Sequence, residues 1–139
     1  MEDMKMAPQF SLTVTANETG YEAALGYGSL QIAAMPQYGY TPQELLVSST
    51  AACSGIMFGM IAKKMRLNVK AVSIKADATR NLDEAMRVES IHLHYTITGE
   101  GLSESAIKQA VGLAFKNCPT VQTIKDSVRI TESFEIIEG

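Results

Sequence analysis

The stretch that decides the fold runs from residue 41 to residue 66 and reads TPQELLVSSTAACSGIMFGMIAKKMR. Thr41 is suited to the position that caps a helix, and Pro42 is suited to the first helical position. Glu44 follows the cap by three residues, which is the spacing of a capping box. The stretch therefore predicts a helix from Thr41 to about Arg66.

This helix carries no charge over 18 consecutive residues, 45–62. Its large apolar side chains lie on both sides, with Cys53, Ile56 and Met60 on one side and Val47 and Phe58 on the other. A helix that is apolar all round must be covered all round. Its length is near the minimum for a membrane span. We predict a buried helix and no membrane, because it contains serines and glycines and because the remaining strands need it for a core.

The rest of the chain alternates apolar and polar residues in a way that is typical of strands, with two further helical segments. We predict a hairpin from residues 10–14 and 21–27, a longer hairpin from residues 72–78 and 91–97, and a last strand at 128–136. Ser103 caps a second helix, and Cys118-Pro119 opens a short third one. The order ββ–α–ββ–αα–β predicts an α+β fold with antiparallel sheets, in a single domain spanning residues 1–139.

Coverage of the first helix predicts a homodimer. One sheet covers one side of it, and only two short amphipathic helices remain within the chain to cover the rest. A second copy that packs its own central helix there is the economical solution.

Composition excludes several classes of protein. The chain has 139 residues, of which 46% are hydrophobic and 19% charged, so it has the balance of a globular protein. A net charge of −3 with both signs mixed argues against nucleic acid and anionic lipid as partners. The first five residues lack the apolar region of a signal peptide, which predicts a cytoplasmic location.

The two cysteines, Cys53 and Cys118, stand 65 positions apart and fit neither a disulfide framework nor a zinc site. His92 and His94 are the only histidines, and they point to one face of a strand, so we expect them to face solvent or a helix and not to bind metal. We predict no metal and no organic cofactor. Both thiols are expected to be reduced in the cytoplasm.

The chain contains the motifs TPQELL (41–46), STAAC (49–53), KKMR (63–66) and NCPTV (117–121). With these motifs it resembles the OsmC/Ohr family of osmotically induced proteins and organic hydroperoxide reductases. The order of the elements also agrees with that family from about residue 9 to residue 137. It implies an intertwined homodimer with thiol sites near the subunit interface. It also implies that Cys53 is the peroxidatic thiol and that Cys118 resolves it to a disulfide.

The chain departs from the family at the residues that ionise the peroxidatic thiol. The family uses an arginine from the N-terminal part and a glutamate ten residues before the cysteine. Here no arginine precedes Arg66, and Gln43 stands where the glutamate would be, with Glu44 one step later. Glu44 is therefore a weaker catalytic candidate, since the capping box explains it fully. The alternative cations are Arg66, Arg80, Arg87 and Arg129, and nothing in the sequence selects one of them.

Local physics treats the two thiols differently. Cys118 opens a helix, where free N–H groups and the helix dipole favour a thiolate. Cys53 lies about three turns inside its helix, so it needs a cation or several donors from elsewhere in the fold.

Two functions follow. The first is a thiol-dependent peroxidase that reduces organic hydroperoxides or hydrogen peroxide through Cys53 and Cys118, serves oxidative stress defence and is recycled by an external dithiol. The alternative is a non-catalytic dimer that binds an apolar or thiol-reactive small molecule at the interface, with both cysteines as packing residues. The missing N-terminal arginine favours the alternative.

Overall fold

The structure is a computed structural model that describes residues 8–139, so the residues behind the export prediction lie outside the described part. It confirms the α+β class. The elements are β1 (Thr13–Ala16), β2 (Tyr21–Ala24), β3 (Ser29–Ile32), α1 (Pro42–Lys64), β4 (Val69–Asn81), β5 (Arg87–Gly99), α2 (Glu104–Asn117), α3 (Pro119–Ile124) and β6 (Arg129–Glu138). The described residues fall into two compact units, one that ends at Leu45 and one that runs from Leu46 to Gly139.

The first unit holds a three-stranded antiparallel sheet in the order β1-β2-β3. The turn between β1 and β2 lies where the sequence predicts it, and the side-chain oxygen of Asn17 accepts a hydrogen bond from Gly20 N–H at 3.0 Å. The third strand, β3, was not predicted, because four residues with mixed polarity give too short an alternation to recognise. Tyr27, which was predicted to lie in a strand, lies in the turn before β3, where Leu25 N–H donates to Gly28 O at 3.0 Å.

The helix α1 starts at the predicted capping box. Thr41 Oγ1 donates to Glu44 Oε1 at 2.8 Å, and Glu44 N–H donates to Thr41 Oγ1 at 3.4 Å. The helix ends at Lys64, slightly before the predicted Arg66, because Arg66 adopts a left-handed conformation with φ 58°. Leu67 N–H then donates to Ala62 O at 3.0 Å, which is the closing bond of a Schellman motif.

Within one chain, α1 buries a single face. Thr50, Ser54, Phe58 and Ala62 recur every fourth residue and are buried. The apolar side chains of Ile56 and Met60 remain 61% and 57% exposed. Among the residues that the structure describes, α1 is the one helix that is long and apolar enough to cross a membrane by length and composition alone.

The second unit holds the sheet β4-β5-β6. The predicted long hairpin is confirmed, since β4 and β5 pair antiparallel. The pair β5–β6 is parallel, in contrast to the predicted antiparallel sheets, because α2 and α3 form a crossover that returns the chain in the same direction. The inward face of β5 carries Ile91, Leu93, Tyr95 and Ile97, all fully buried, and the rings of Tyr95 and Phe58 lie 5.5 Å apart.

The opposite face of this sheet is polar. His92 hydrogen-bonds Thr131 at 2.6 Å and Ser133 at 2.8 Å. His94 hydrogen-bonds Ser133 at 2.6 Å and Glu135 at 3.1 Å. Both imidazoles are therefore held by neighbours on the adjacent strand β6.

Candidate thiol site

The structure brings Cys53 and Cys118 together. Cys53 lies inside α1 and is half-buried, whereas Cys118 is the extended residue between α2 and α3 and is fully buried. The two side chains hydrogen-bond each other, and both are free thiols. Ser54, the next residue on α1, donates its hydroxyl proton to Cys118 Sγ at 3.7 Å.

Cys53 is the thiol that ionises more easily. Burial opposes its ionisation, but hydrogen bonds from Cys118 and from both the side chain and the backbone N–H of Thr120 outweigh burial and lower the pKa of Cys53. Thr120 is the second residue of α3, so the fold brings the start of that helix to the middle of α1. The donors that the sequence could not identify are therefore Thr120 and Cys118.

Cys118 behaves in the opposite way to the expectation from its place at a helix start. Burial raises the pKa of Cys118, and its role as hydrogen-bond donor to Cys53 raises the pKa further. The prediction that the helix start makes Cys118 the thiolate is wrong, because α3 has only 6 residues and desolvation of the fully buried sulfur outweighs its dipole.

Among the described residues, none of the interactions that lower the pKa of Cys53 comes from an arginine. Arg87 is engaged elsewhere, since its guanidinium contacts Glu84 at 3.5 Å and donates to Ser127 O at 3.1 Å. Hydrogen-bond donors, and not a cation, lower the pKa of the thiol in the described part of the chain.

Glu44, the weaker catalytic candidate, is engaged in the cap of α1. Its Oε1 accepts hydrogen bonds from both the hydroxyl and the N–H of Thr41, at 2.8 and 3.3 Å. The capping interpretation is thereby confirmed. A catalytic role for Glu44 stays a prediction.

Besides Thr120, three further residues of the site were missed by the sequence analysis: Ser54, Tyr95 and Glu132. Tyr95 is fully buried and interacts with Ser54 on one side and with Glu132 on the other. Burial, then the charge of Glu132, raises the pKa of Tyr95 well above its usual range. Burial also raises the pKa of Glu132 to about 7.

A signal for Glu132 was present in the sequence. The strand β6 presents Ile130, Phe134 and Ile136 to the core, and Glu132 is the one polar residue in this alternating series. Glu132 pairs with the buried Leu93 in the parallel register, which places it on the inward face. An acid at an inward position of a strand is a candidate functional group.

Comparison with known proteins gives a family. Residues 35–133 match the family described as OsmC-like protein. The protein YhfA of Escherichia coli K12 is 30% identical over 98 residues, which cover 70% of this chain and 73% of YhfA.

Solved structures share the fold. An OsmC-like protein from Mycoplasma pneumoniae superposes with a TM-score of 0.83 at 21% identity, covering 95% of this chain and 99% of that one. An organic hydroperoxide resistance protein OsmC from Legionella pneumophila superposes with a TM-score of 0.73 at 19% identity, covering 93% and 99%. With the family match over most of its length, the chain belongs to the OsmC-like protein family.

Proposed function

We propose that this protein is a thiol-dependent peroxidase that reduces organic hydroperoxides through Cys53 and Cys118. The observation that carries the proposal is the asymmetry of the pair: a thiol with a lowered pKa is hydrogen-bonded to a second thiol with a raised pKa. Membership of the OsmC/Ohr family indicates a peroxide-related stress function, and the Legionella pneumophila relative is named for organic hydroperoxide resistance.

The chemistry follows from the two protonation states. The thiolate of Cys53 attacks the distal peroxide oxygen, the O–O bond breaks, and the alkoxide leaves and takes up a proton. Cys53 is then a sulfenic acid. The Cys118 sulfur attacks it, forming the disulfide, and the Cys118 proton leaves with the hydroxide as water. An external dithiol is oxidised to its own disulfide as it restores both thiols.

The surroundings of Cys53 favour a lipophilic substrate. Ile56 and Met60 follow Cys53 by three and seven residues, so they lie on the same face of α1, and both are more than half exposed. This apolar strip next to the thiol suits an alkyl or aryl hydroperoxide better than hydrogen peroxide.

We also propose that the chain works as a homodimer through this face of α1, so that the apolar strip and the Cys53 thiol lie at the subunit interface. Only 22% of the residues in the most hydrophobic part of α1 are buried within one chain, although a soluble protein rarely exposes an apolar face of this kind. A second copy offers a matching apolar helix, and a net charge of −3 does not favour an anionic membrane surface instead. Sedimentation should give about twice the chain mass of 15.0 kDa. A folded monomer at micromolar concentration would contradict this proposal.

Peroxide consumption tests the main proposal. Wild type should consume cumene hydroperoxide in the presence of dithiothreitol, and Cys53→Ser should abolish consumption. Cys118→Ser should leave the first turnover intact and accumulate sulfenic or sulfinic acid at Cys53, seen as a mass gain. If wild type consumes no peroxide and both thiols remain open to alkylation afterwards, the non-catalytic binding dimer is the correct function.

The ionisation of Cys53 can be tested separately. Thr120→Val removes the side-chain donor and keeps the backbone N–H, so the pKa of Cys53 should rise and its alkylation by iodoacetamide at pH 7 should slow. Thr123→Val is the matched control, because Thr123 lies on the same helix and donates to Pro119 O at 2.7 Å, not to a thiol. Equal alkylation rates in the two variants would show that Thr120 does not hold the thiolate.

A further inference from the structure

The buried thiol Cys118 has a proton that must leave and return. When the disulfide forms, Cys118 loses its proton, and when the disulfide is reduced, its sulfur leaves as a thiolate that needs a proton. Its sulfur is fully buried, so solvent does not reach it directly. A thiol with a raised pKa is also a poor leaving group unless it is protonated as it departs.

Besides Cys53, the polar side chain that contacts Cys118 is that of Ser54. Ser54 Oγ lies 3.7 Å from Cys118 Sγ. Ser54 and Tyr95 interact through their hydroxyls, and Tyr95 in turn interacts with the carboxyl of Glu132. These last contacts fall short of full hydrogen bonds, because Tyr95 Oη and Glu132 Oε2 are buried without a partner of proper geometry among residues 8–139.

A buried phenol and a buried carboxyl without full hydrogen bonds cost stability, and such groups in a native fold call for a functional reason. Glu132 also stands where the strand alternation asks for an apolar residue. The fold therefore keeps an acid at a position where an apolar residue would pack better.

Glu132 connects the buried residues Cys118, Ser54 and Tyr95 to solvent. It lines a cleft of about 680 Å³ between α2 and β6. Besides Tyr95 on β5, the charged residues nearest to it are those that line the same cleft, namely Glu104 and Lys108 on α2 and Glu135 on β6. One carboxyl oxygen of Glu132 is buried towards Tyr95, while the cleft on its other side is open to water.

We propose that Glu132 stores the proton that Cys118, through Tyr95 and Ser54, regains when the disulfide is reduced. This inference rests on the proposed function, because it assumes that Cys53 and Cys118 form a disulfide. Glu132 touches no substrate and acts on Cys118 only through Tyr95 and Ser54, so it is a positioning residue.

The reductive half of the cycle balances as follows. A dithiol thiolate attacks Cys53, a mixed disulfide forms, the Cys53–Cys118 bond breaks, and the electron pair stays on Cys118. Ser54 gives its proton to the Cys118 thiolate and receives one from Tyr95, which receives one from Glu132. The second dithiol thiol then attacks the mixed disulfide, releases Cys53 as a thiolate and gives up its proton, and Glu132 regains a proton through the cleft.

Burial raises the pKa of Glu132 to about 7, which supports its role as a proton store, because a group that is half ionised near neutrality both donates and accepts protons efficiently. Tyr95 passes protons without becoming a free phenolate, since it accepts one as it donates another.

The test uses protein in which diamide, not peroxide, has formed the disulfide. Its reduction by dithiothreitol is followed at pH 6 and pH 8.5, and each rate is divided by the dithiothreitol thiolate concentration. The disulfide of Glu132→Gln should be reduced about 100-fold more slowly than that of wild type at pH 6, a factor at the lower end of what general acid catalysis contributes. At pH 8.5 it should be reduced at nearly the wild-type rate. Tyr95→Phe should show the same pH-dependent loss.

Glu135→Gln is the matched control, since Glu135 lies on the same strand and lines the same cleft but contacts His94 on the opposite face of the sheet. It should reduce at the wild-type rate at both pH values. A ratio of wild type to Glu132→Gln that does not change with pH would overturn the inference. If diamide forms no disulfide, both proposals fail. If diamide forms the disulfide and peroxide does not, the peroxidase proposal fails. The proton store is then decided by whether the ratio of wild-type to Glu132→Gln reduction rates changes with pH.

Discussion

Glu132 should also control how the stability of the fold depends on pH, and Glu132→Gln isolates this effect. Burial raises the pKa of Glu132 from 4.5 to about 7, so between these values the folded chain binds a proton that the unfolded chain does not. Stability contributed by the protonated carboxyl is therefore full below pH 4.5 and is lost as pH rises towards 7.

The magnitude follows from the two pKa values. At about 1.36 kcal/mol for each tenfold change in proton affinity, the difference between the two pKa values corresponds to at most about 3.4 kcal/mol. Glu132 lines an open cleft where water screens the charge, so we expect about 1–2 kcal/mol.

Urea unfolding of the reduced protein at pH 5, 6, 7 and 8 measures this free energy. Relative to Glu132→Gln, wild type should lose about 1–2 kcal/mol between pH 5 and pH 8, which makes the variant the more stable protein at pH 8. Glu89→Gln, an exposed acid on β5, is the control and should follow wild type. If wild type and Glu132→Gln keep a constant difference over the whole range, the carboxyl does not titrate in this window.

Three further variants test the fold and the site. Tyr95→Phe should change the free energy of unfolding by less than about 1 kcal/mol in urea melts, because the hydroxyl it removes has no full hydrogen bond to lose; a loss above 2 kcal/mol would mean that the hydroxyl is well bonded. Glu44→Gln should keep both the melting temperature and peroxide turnover, because Gln also completes a capping box with Thr41. A hundredfold loss of turnover at unchanged melting temperature would make Glu44 catalytic. Ile56→Glu should give a 15.0 kDa species in sedimentation, while Glu89→Gln stays at twice that mass.

The elements that the sequence predicted well are those with local signals. The helix α1 starts at its predicted capping box, and the helix α2 starts at Ser103, whose Oγ accepts a hydrogen bond from Ala106 N–H at 3.1 Å. The long hairpin followed from alternation over many residues. The strand β3 was missed because its four residues are too few to establish a period, and the parallel β5–β6 pair was missed because strand direction depends on the crossover and not on the strand itself.

The sequence alone determined the candidate pair, Cys53 and Cys118, through motifs that mark the family. It also contained the polar break at Glu132 in an otherwise apolar strand face. Only the tertiary structure decided which thiol ionises, and it reversed the order that the local helix dipoles indicate. The physical reason is that a pKa depends on desolvation and on donors in space, and the donor Thr120 stands 67 positions after Cys53 in the chain.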